Sequence, residues 1–270
     1  MPVARAVSPR CTCEAGRVRE GFPTVDYDSA LSILKTSFAG GGEGEFYVTR
    51  LRELRGMQID WLDIGIGKGA RSIQPFIDCL VAGGNTMRVI GIDPDAGQGS
   101  NDLGDDRSIE IISERFERYV PDRSFDFINA DQSLYYVDDL DLQPRRIAAA
   151  LKPGGCFFAT CWSEDCVLYH LRTSMLDNRN GVLTADALIA RMRDLALFDS
   201  IESERFDATV DLRKWRDSEE LRCAAAHVIA RQELDEDPAL AAARSLELAL
   251  NDWGDVESRV NIALVARKKE

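Results

Sequence analysis

The apolar residues of this chain follow two periodicities. Five short apolar runs have the length of buried strands, at residues 59–64, 88–93, 108–113, 125–130 and 155–161. Helical spacing is clearest over residues 71–82, where the apolar positions recur at intervals of three and four: Ile73, Phe76, Ile77, Leu80 and Val81. Strands that alternate with helices in this way predict a parallel sheet covered by helices on both faces.

The pattern changes on either side of this alternating region. Phe38 lies on the apolar face of a helix predicted over 26–38, and a glycine-rich run over 40–44 predicts a hinge before a second helix at 45–55. Further helices are predicted at 139–151, at 184–196 and within 215–248, and further strands at 200–211 and 260–266.

Composition excludes several classes of function. The 270 residues are 45% hydrophobic, which suffices for one large α/β domain. A net charge of −13 argues against nucleic acid or an anionic membrane as the partner, because such binding needs clustered Lys and Arg. Cys11 and Cys13 lack further ligands at zinc spacing, so no metal site is predicted. Because no long apolar segment or signal peptide is visible, we expect a cytoplasmic protein with a small-molecule partner.

The first predicted strand ends in the most informative stretch of the sequence. Asp63 is followed by Gly65, Gly67 and Gly69, each separated by one residue. Such glycines allow a tight turn and let backbone N–H groups approach a ligand. With Ala70, the spacing also satisfies the G-x-G-x-x-G/A pattern of dinucleotide-binding proteins. The loop therefore predicts a nucleotide-like ligand at this end of the strand.

Charge distinguishes between the ligands that fit such a loop. Asp63 lies where a pyrophosphate would have to lie, and two anions in a partly dehydrated pocket repel by roughly several kcal/mol. S-adenosylmethionine carries an ammonium and a sulfonium and no phosphate, so the carboxylate favours it. Asp93 ends the next strand, 24 residues beyond Gly69, and predicts a contact with ribose hydroxyls in either cofactor class.

Four motifs in this order resemble the class I S-adenosylmethionine-dependent methyltransferases. They are Leu-Asp-Ile-Gly-Ile-Gly-Lys-Gly at 62–69, Gly-Ile-Asp-Pro at 91–94, Ser-Phe-Asp-Phe-Ile at 124–128 and Leu-Lys-Pro-Gly-Gly at 151–155. The resemblance covers roughly residues 59–162. It implies a Rossmann-like, seven-stranded, mostly parallel sheet with an antiparallel last strand, together with a helical lid and a helical cap. The expected organisation is a disordered tail over 1–20, a lid over 21–58, a cofactor-binding core over 59–212, a substrate cap over 213–256 and the last strand over 257–270.

The resemblance also assigns roles at the ends of the predicted strands. It implies S-adenosylmethionine as the cofactor and S-adenosylhomocysteine as its product. The residues expected to bind this cofactor are Asp63, Gly65, Gly67, Gly69, Asp93, Pro94, Ser113, Glu114, Arg115, Phe116, Ala130 and Asp131. Such enzymes usually carry an Asp-Ala-type pair where this chain has Ser-Glu-Arg, which leaves the atom that contacts the adenine open. Phe116 has two interpretations, stacking on the adenine or packing in the core.

A narrower resemblance concerns the methyl acceptor. Residues 131–140 and 161–165 are similar to histamine N-methyltransferase and its bacterial relatives, as is the length of the C-terminal part. The residues expected to bind the acceptor are Tyr27, Glu43, Glu45, Gln132, Tyr135, Tyr136, Trp162, Ser163 and Asn261. Catalytic roles are expected for Gln132, Tyr135, Tyr136 and His170. A tyrosine ring favours a cation over its face, and His170 is interpreted either as a general base or as a packing residue.

These observations predict a methyltransferase of secondary metabolism that acts on the nitrogen of a small amine or amino-acid-derived natural product. Methylation of carbon or oxygen on a natural-product ring stays open, because the predicted pocket has no diagnostic base. Two alternatives come from other classes. One is an NAD(P)-dependent oxidoreductase, which the dinucleotide spacing favours and Asp63 disfavours. The other is a non-catalytic cofactor-binding protein, which would bind the cofactor without turnover.

Overall fold

The computed structural model describes residues 27–67, 73–94, 96, 101–102, 108–134, 141–175, 183–230 and 238–269. In chain order the strands are β1 Phe38–Gly40, β2 Gln58–Ile64, β3 Thr86–Ile92, β4 Asn101–Asp102, β5 Ser108–Ile112, β6 Phe125–Asp131, β7 Leu151–Trp162, β8 Phe198–Asp211 and β9 Val256–Lys268. The helices are α1 Tyr27–Lys35, α2 Glu43–Leu51, α3 Gln74–Ala82, α4 Leu142–Ala150, α5 Val167–Met175, α6 Ala185–Leu195, α7 Leu212–Asp217, α8 Glu219–Ala230 and α9 Pro238–Leu250. None of these described helices is both long and apolar enough to cross a membrane.

All described strands belong to one sheet, in the order β1–β8–β9–β7–β6–β2–β3–β5–β4. Strands β7, β6, β2, β3 and β5 pair in parallel, and β9 runs antiparallel to both β7 and β8. This arrangement matches the expected Rossmann-like fold with an antiparallel last strand. Because parallel strands end at the same edge, the loops after β2, β3, β5, β6 and β7 meet along one side of the sheet.

The sheet has nine strands among the described residues rather than the seven expected. The two additional strands lie at its edges, where β1 pairs antiparallel with β8 and β4 pairs antiparallel with β5. They comprise three and two residues, which is too short for any alternation of apolar and polar positions to show in the sequence.

The N-terminal helix is shorter than its predicted span of 26–38. It ends at Lys35, where the hydroxyls of Thr36 and Ser37 donate to carbonyls of the last turn, at 2.7 and 2.6 Å. Phe38 then begins β1 instead of extending the helix. The hinge predicted over 40–44 contains three glycines with φ between 85° and 140°, and α2 begins directly after them, at residue 43 rather than 45.

Helices cover both faces of the sheet. Side chains on one face of the central strands pack with α2 and α3 around Trp61, Phe127 and Phe158. Side chains on the other face, among them Leu62 and Phe157, pack with helices α4, α5, α6, α8 and α9. The apolar positions of the helix predicted over 71–82 lie in the first of these cores, although its residues 71 and 72 fall outside the described ranges.

The amino ends of the central strands are tied together by one lysine. Lys152 Nζ lies 2.8 Å from Asp60 Oδ2 and 2.7 Å from Asp126 Oδ2, so a single ammonium joins β7 to β2 and β6. Hydrogen bonds to the two carboxylates raise the pKa of Lys152. The arrangement lies at the opposite edge from the predicted site and therefore serves the fold.

Candidate active site

A buried carboxylate lies at the carboxyl end of β2. Asp63 is 2% exposed and pairs in register with Asn129 of β6, whose amide Nδ2 donates to Asp63 Oδ2 at 2.8 Å. Burial raises the pKa of Asp63 to about 7, against the lowering effect of this hydrogen bond. The carboxylates of Asp131 and Asp93 raise the pKa further. A cation bound beside Asp63 would reverse this effect, because it stabilises the ionised form.

The glycine loop after β2 adopts the backbone conformation that the sequence predicted. Gly65 and Gly67 have φ of 82° and 64°, which glycine adopts without strain. A Cβ on Gly65 would lie 2.3 Å from Ser133 Cβ, whereas a Cβ on Gly67 would meet no described atom within 4 Å. Asp93, buried at the end of β3, accepts a hydrogen bond from the Gly67 amide at 3.1 Å. The predicted ribose partner therefore also fixes the loop.

The end of β5 brings together the residues expected near the adenine. Ser113 and Arg115 are exposed, and Ser113 Oγ donates to the carbonyl of exposed Pro94 at 3.2 Å. Glu114 accepts from the Arg115 amide at 2.8 Å. Phe116 is 4% exposed and packs in the core, with the Arg146 guanidinium 5.4 Å from its ring centroid. The geometry thus favours packing for this ring.

The tip of β6 places polar groups beside the end of β2. Asp131 pairs in register with Thr160 of β7 and retains solvent-exposed surface. Desolvation by the surrounding protein raises the pKa of Asp131, although the Thr160 hydroxyl lowers it through a hydrogen bond. Ala130, expected at the cofactor, is fully buried. Gln132 has φ of 54°, an uncommon conformation for a residue other than glycine, and such residues occur often at functional sites.

The first helical turn of α2 reaches the same region. Asn261 Nδ2 of β9 donates to Glu43 Oε1 at 2.5 Å, and the Gly42 amide donates to Glu43 Oε2 at 2.9 Å. Burial opposes ionisation of Glu43, but these hydrogen bonds and the charge of Arg259 together lower its pKa. Glu45 lies on the exposed side of the helix. Of the two predicted carboxylates, only Glu43 faces the sheet.

The end of β7 contributes two buried residues. Trp162 pairs in register with Asn261, and the Ser163 amide donates to the Val260 carbonyl at 3.0 Å. His170 lies one turn into α5, where its ring stacks on Trp253 at 5.5 Å. That contact places the histidine against the turn before β9, and the described contacts do not connect it to the carboxylates.

Three predicted site residues lie outside the described residues, namely Gly69, Tyr135 and Tyr136. Tyr27 begins α1, and its side chain is not among those described. Four residues of the site were not predicted: Tyr47, Asn129, Thr160 and Arg259. The sequence contained an indication for Asn129 and Thr160, because each is a polar residue within an apolar run that predicts a strand. Tyr47 and Arg259 have no such signal, because their partners are distant in sequence.

Comparison with known proteins identifies the family. A profile of the methyltransferase domain matches residues 42–225, about two thirds of the chain. The chain belongs to this family. The predicted enzyme class is thereby confirmed, and the family assignment favours a methyltransferase over the dehydrogenase alternative. S-adenosylmethionine is the cofactor that the assignment supports. No curated protein sequence matches this methyltransferase.

Solved structures resemble this methyltransferase at low sequence identity. The YcgJ protein from Bacillus subtilis gives a TM-score of 0.53 at 15% identity, with 84% of this chain and 98% of that chain covered. Phosphoethanolamine N-methyltransferase 2 from Haemonchus contortus, solved with phosphomonomethylethanolamine and S-adenosylhomocysteine, gives 0.45 at 16% and covers 90% and 53%. N-methyltransferase NodS from Bradyrhizobium japonicum, solved with S-adenosylhomocysteine, gives 0.44 at 14% and covers 90% and 98%. This methyltransferase spans about half the length of the Haemonchus enzyme. At 15% identity, the similarity to the YcgJ protein shows the fold alone.

Proposed function

We propose that this protein transfers a methyl group from S-adenosylmethionine to a nitrogen of a small amine or amino-acid-derived natural product. The cofactor supplies the electrophilic methyl group when bound. The observation that carries the proposal is the group of carboxylates along the carboxyl edge of the sheet, on β2, β3, β6 and α2: Asp63, Asp93, Asp131 and Glu43. Such a group attracts a cationic donor and an acceptor that carries an amine.

The donor side fits S-adenosylmethionine on the chain's own geometry. Asp63 is a buried carboxylate with a raised pKa, and a bound ammonium would stabilise its ionised form. Among the described residues nothing lies where a side chain of residue 67 would project, and the glycine there lets the backbone approach a ligand. Asp93 accepts a hydrogen bond from the Gly67 amide of the loop, and we assign the ribose contact to this residue.

The acceptor side consists of the groups around the tip of β6. We assign amine binding to the carboxylate of Asp131, a residue that retains exposed surface, and a polar contact to Gln132. The backbone of Gln132 is fixed by a 3.0 Å hydrogen bond from its amide to the Thr160 carbonyl. A neutral amine needs alignment and exclusion of water more than a strong base, because charge disperses in the transition state of methyl transfer. We propose that α1 and α2 form the lid, and that α7, α8 and α9 form the substrate cap.

Several acceptor contacts remain predictions. Tyr27, Glu45, Tyr135 and Tyr136 keep the roles that the family resemblance implies, and so do Trp162, Ser163 and His170. Nitrogen is proposed as the acceptor atom because residues 131–140 and 161–165 resemble the histamine enzymes in sequence, a resemblance that stays a prediction. Methylation of carbon or oxygen is the outcome that would redefine the acceptor while leaving the donor side unchanged.

Incubation with methyl-labelled S-adenosylmethionine and a panel of amines, indoles and phenols tests the function. We expect label on the nitrogen of an amine and tight binding of S-adenosylmethionine in calorimetry. Transfer only to phenols or to ring carbon would contradict the proposed acceptor. Tight binding of NAD without binding of S-adenosylmethionine would contradict the whole assignment, and binding without transfer across the panel would favour a non-catalytic protein.

A further inference from the structure

Tyr47 of α2 connects the predicted lid to the sheet. Its phenol oxygen hydrogen-bonds the Thr160 hydroxyl of β7, although the two residues are 113 positions apart. The ring is 1% exposed and fixed on three sides, stacked on Phe158 at 5.1 Å and packed edge-on against Phe46 and Phe76. Such packing leaves the hydroxyl little freedom, so its direction is determined by the fold.

The direction of hydrogen bonding along this contact can be derived. Burial and the charge of Asp131 raise the pKa of Tyr47 well above its ordinary value, so the phenol keeps its proton and can donate it. The strand register places Thr160 beside Asp131, and the Thr160 hydroxyl lowers the pKa of that carboxyl. The hydroxyl has one proton, and an ionised carboxylate can only accept it. The direction that suits all three groups is therefore donation from Tyr47 to Thr160 and from Thr160 towards Asp131.

We infer that Tyr47 and Thr160 are positioning residues that orient the Asp131 carboxylate for the acceptor amine. The inference rests on the proposed function, because it takes the acceptor to be an amine. In this direction the Thr160 hydroxyl takes one acceptor position of the carboxylate, and Asp131 is a residue with solvent-exposed surface that an amine can reach. Movement of α2 would break the contact, which couples the geometry of Asp131 to the position of the lid.

Other charged and titratable groups also act on Asp131 and must be held constant in a test. Those on the neighbouring elements are Lys35 of α1, Glu43 and Tyr47 of α2, Asp63 of β2, Cys161 of β7 and Arg259 of β9. Substitutions at Thr160 leave all of these residues in place, and Thr160→Val removes only the hydroxyl that contacts Tyr47 and acts on Asp131, so Thr160 is the best position for the test.

The matched variants are Thr160→Val, which keeps the shape and removes the hydroxyl, and Thr160→Ser, which keeps the hydroxyl. The readout is the pKa of Asp131, from carbon-13 NMR of labelled aspartate in protein bound to S-adenosylhomocysteine, with Asp131→Asn for assignment. We expect Thr160→Val to raise the pKa by about one unit, because the lost hydrogen bond stabilised the carboxylate. Thr160→Ser should remain near wild type, and Tyr47→Phe should shift the pKa in the same direction by less. Equal pKa values of Asp131 in the Val and Ser variants would show that the Thr160 hydroxyl does not act on this carboxylate, and the inference would be overturned.

Kinetics test the second half of the inference. With an amine acceptor from the panel, the acid limb of kcat/KM should move to higher pH in Thr160→Val by the shift that NMR measures. The affinity for S-adenosylmethionine should change by less than about twofold. An acid limb that stays in place while the NMR pKa shifts would show that Asp131 does not bind the amine. If no amine is methylated, the proposed function has failed. The NMR comparison then still decides whether the Thr160 hydroxyl acts on the Asp131 carboxylate.

Discussion

Binding of S-adenosylmethionine should depend on pH through Asp63. Burial raises the pKa of this carboxyl to about 7 in the unliganded protein, from an ordinary value of 3.8. A cation bound beside it stabilises the ionised form, so the pKa falls on binding and a proton is released. The affinity for S-adenosylmethionine should therefore reach its full value above pH 8 and decrease as the pH falls through 7.

The magnitude follows from the pKa. With a value near 7, about nine tenths of the carboxyl is ionised at pH 8 and about one tenth at pH 6, so the affinity should fall about tenfold over this interval, or about 1.4 kcal/mol. In the folded protein Asp63 also keeps a proton that it loses in the unfolded chain between about pH 4 and 7. The contribution of this carboxyl to the stability of the unliganded protein should therefore fall as the pH rises through this window.

Calorimetric titration with S-adenosylmethionine at pH 6, 7 and 8, in buffers of different ionisation enthalpy, measures both the affinity and the released proton. Asp63→Asn keeps the shape and should remove the pH dependence, with weaker binding at pH 8. The same variant should stabilise the unliganded protein at pH 8, by on the order of 1 kcal/mol or more, since it removes a poorly solvated charge. Asp131→Asn is the comparison variant and should retain the pH dependence, displaced to somewhat lower pH, because the charge of Asp131 raises the pKa of Asp63. Equal affinity at pH 6 and pH 8 in the wild type would refute the assignment of Asp63 to the donor.

Three further substitutions test separate parts of the structure. Gly65→Ala should cost at least about 2 kcal/mol of unfolding free energy, because of its positive φ and the clash with Ser133. Gly44→Ala, in α2 with no described atom within 4 Å of the added Cβ, should be neutral or stabilising by up to about 1 kcal/mol in thermal denaturation. Lys152→Met should destabilise by about 1 kcal/mol in urea titration, since the ammonium is partly exposed, and should leave methyl transfer per folded molecule unchanged. Asn261→Ala should raise the pKa of the carboxyl it binds on α2 and raise KM for the acceptor; an unchanged KM would remove that carboxyl from the acceptor site.

Local patterns allowed much of the sheet to be predicted. Each central strand ends within a few residues of its predicted bounds, because a run of apolar residues between turn signals is a local feature. The errors in the predicted helices also have physical causes. The helix predicted through Phe38 stops at Lys35, because hydroxyls in the last turn bond its carbonyls and the following residues gain strand pairing with β8. Helix α5 was not predicted at all.

The sequence by itself determined the glycine loop, the carboxylates that follow β2 and β3, and the family, because these depend on consecutive residues and on their spacing. Only the tertiary structure decided which side chains those carboxylates meet. Asn129 reaches Asp63, and Tyr47 reaches Thr160, across 66 and 113 residues, since the strand order places β6 between β2 and β7 and α2 packs over their ends. Contacts of that kind depend on packing in three dimensions, which no local periodicity encodes.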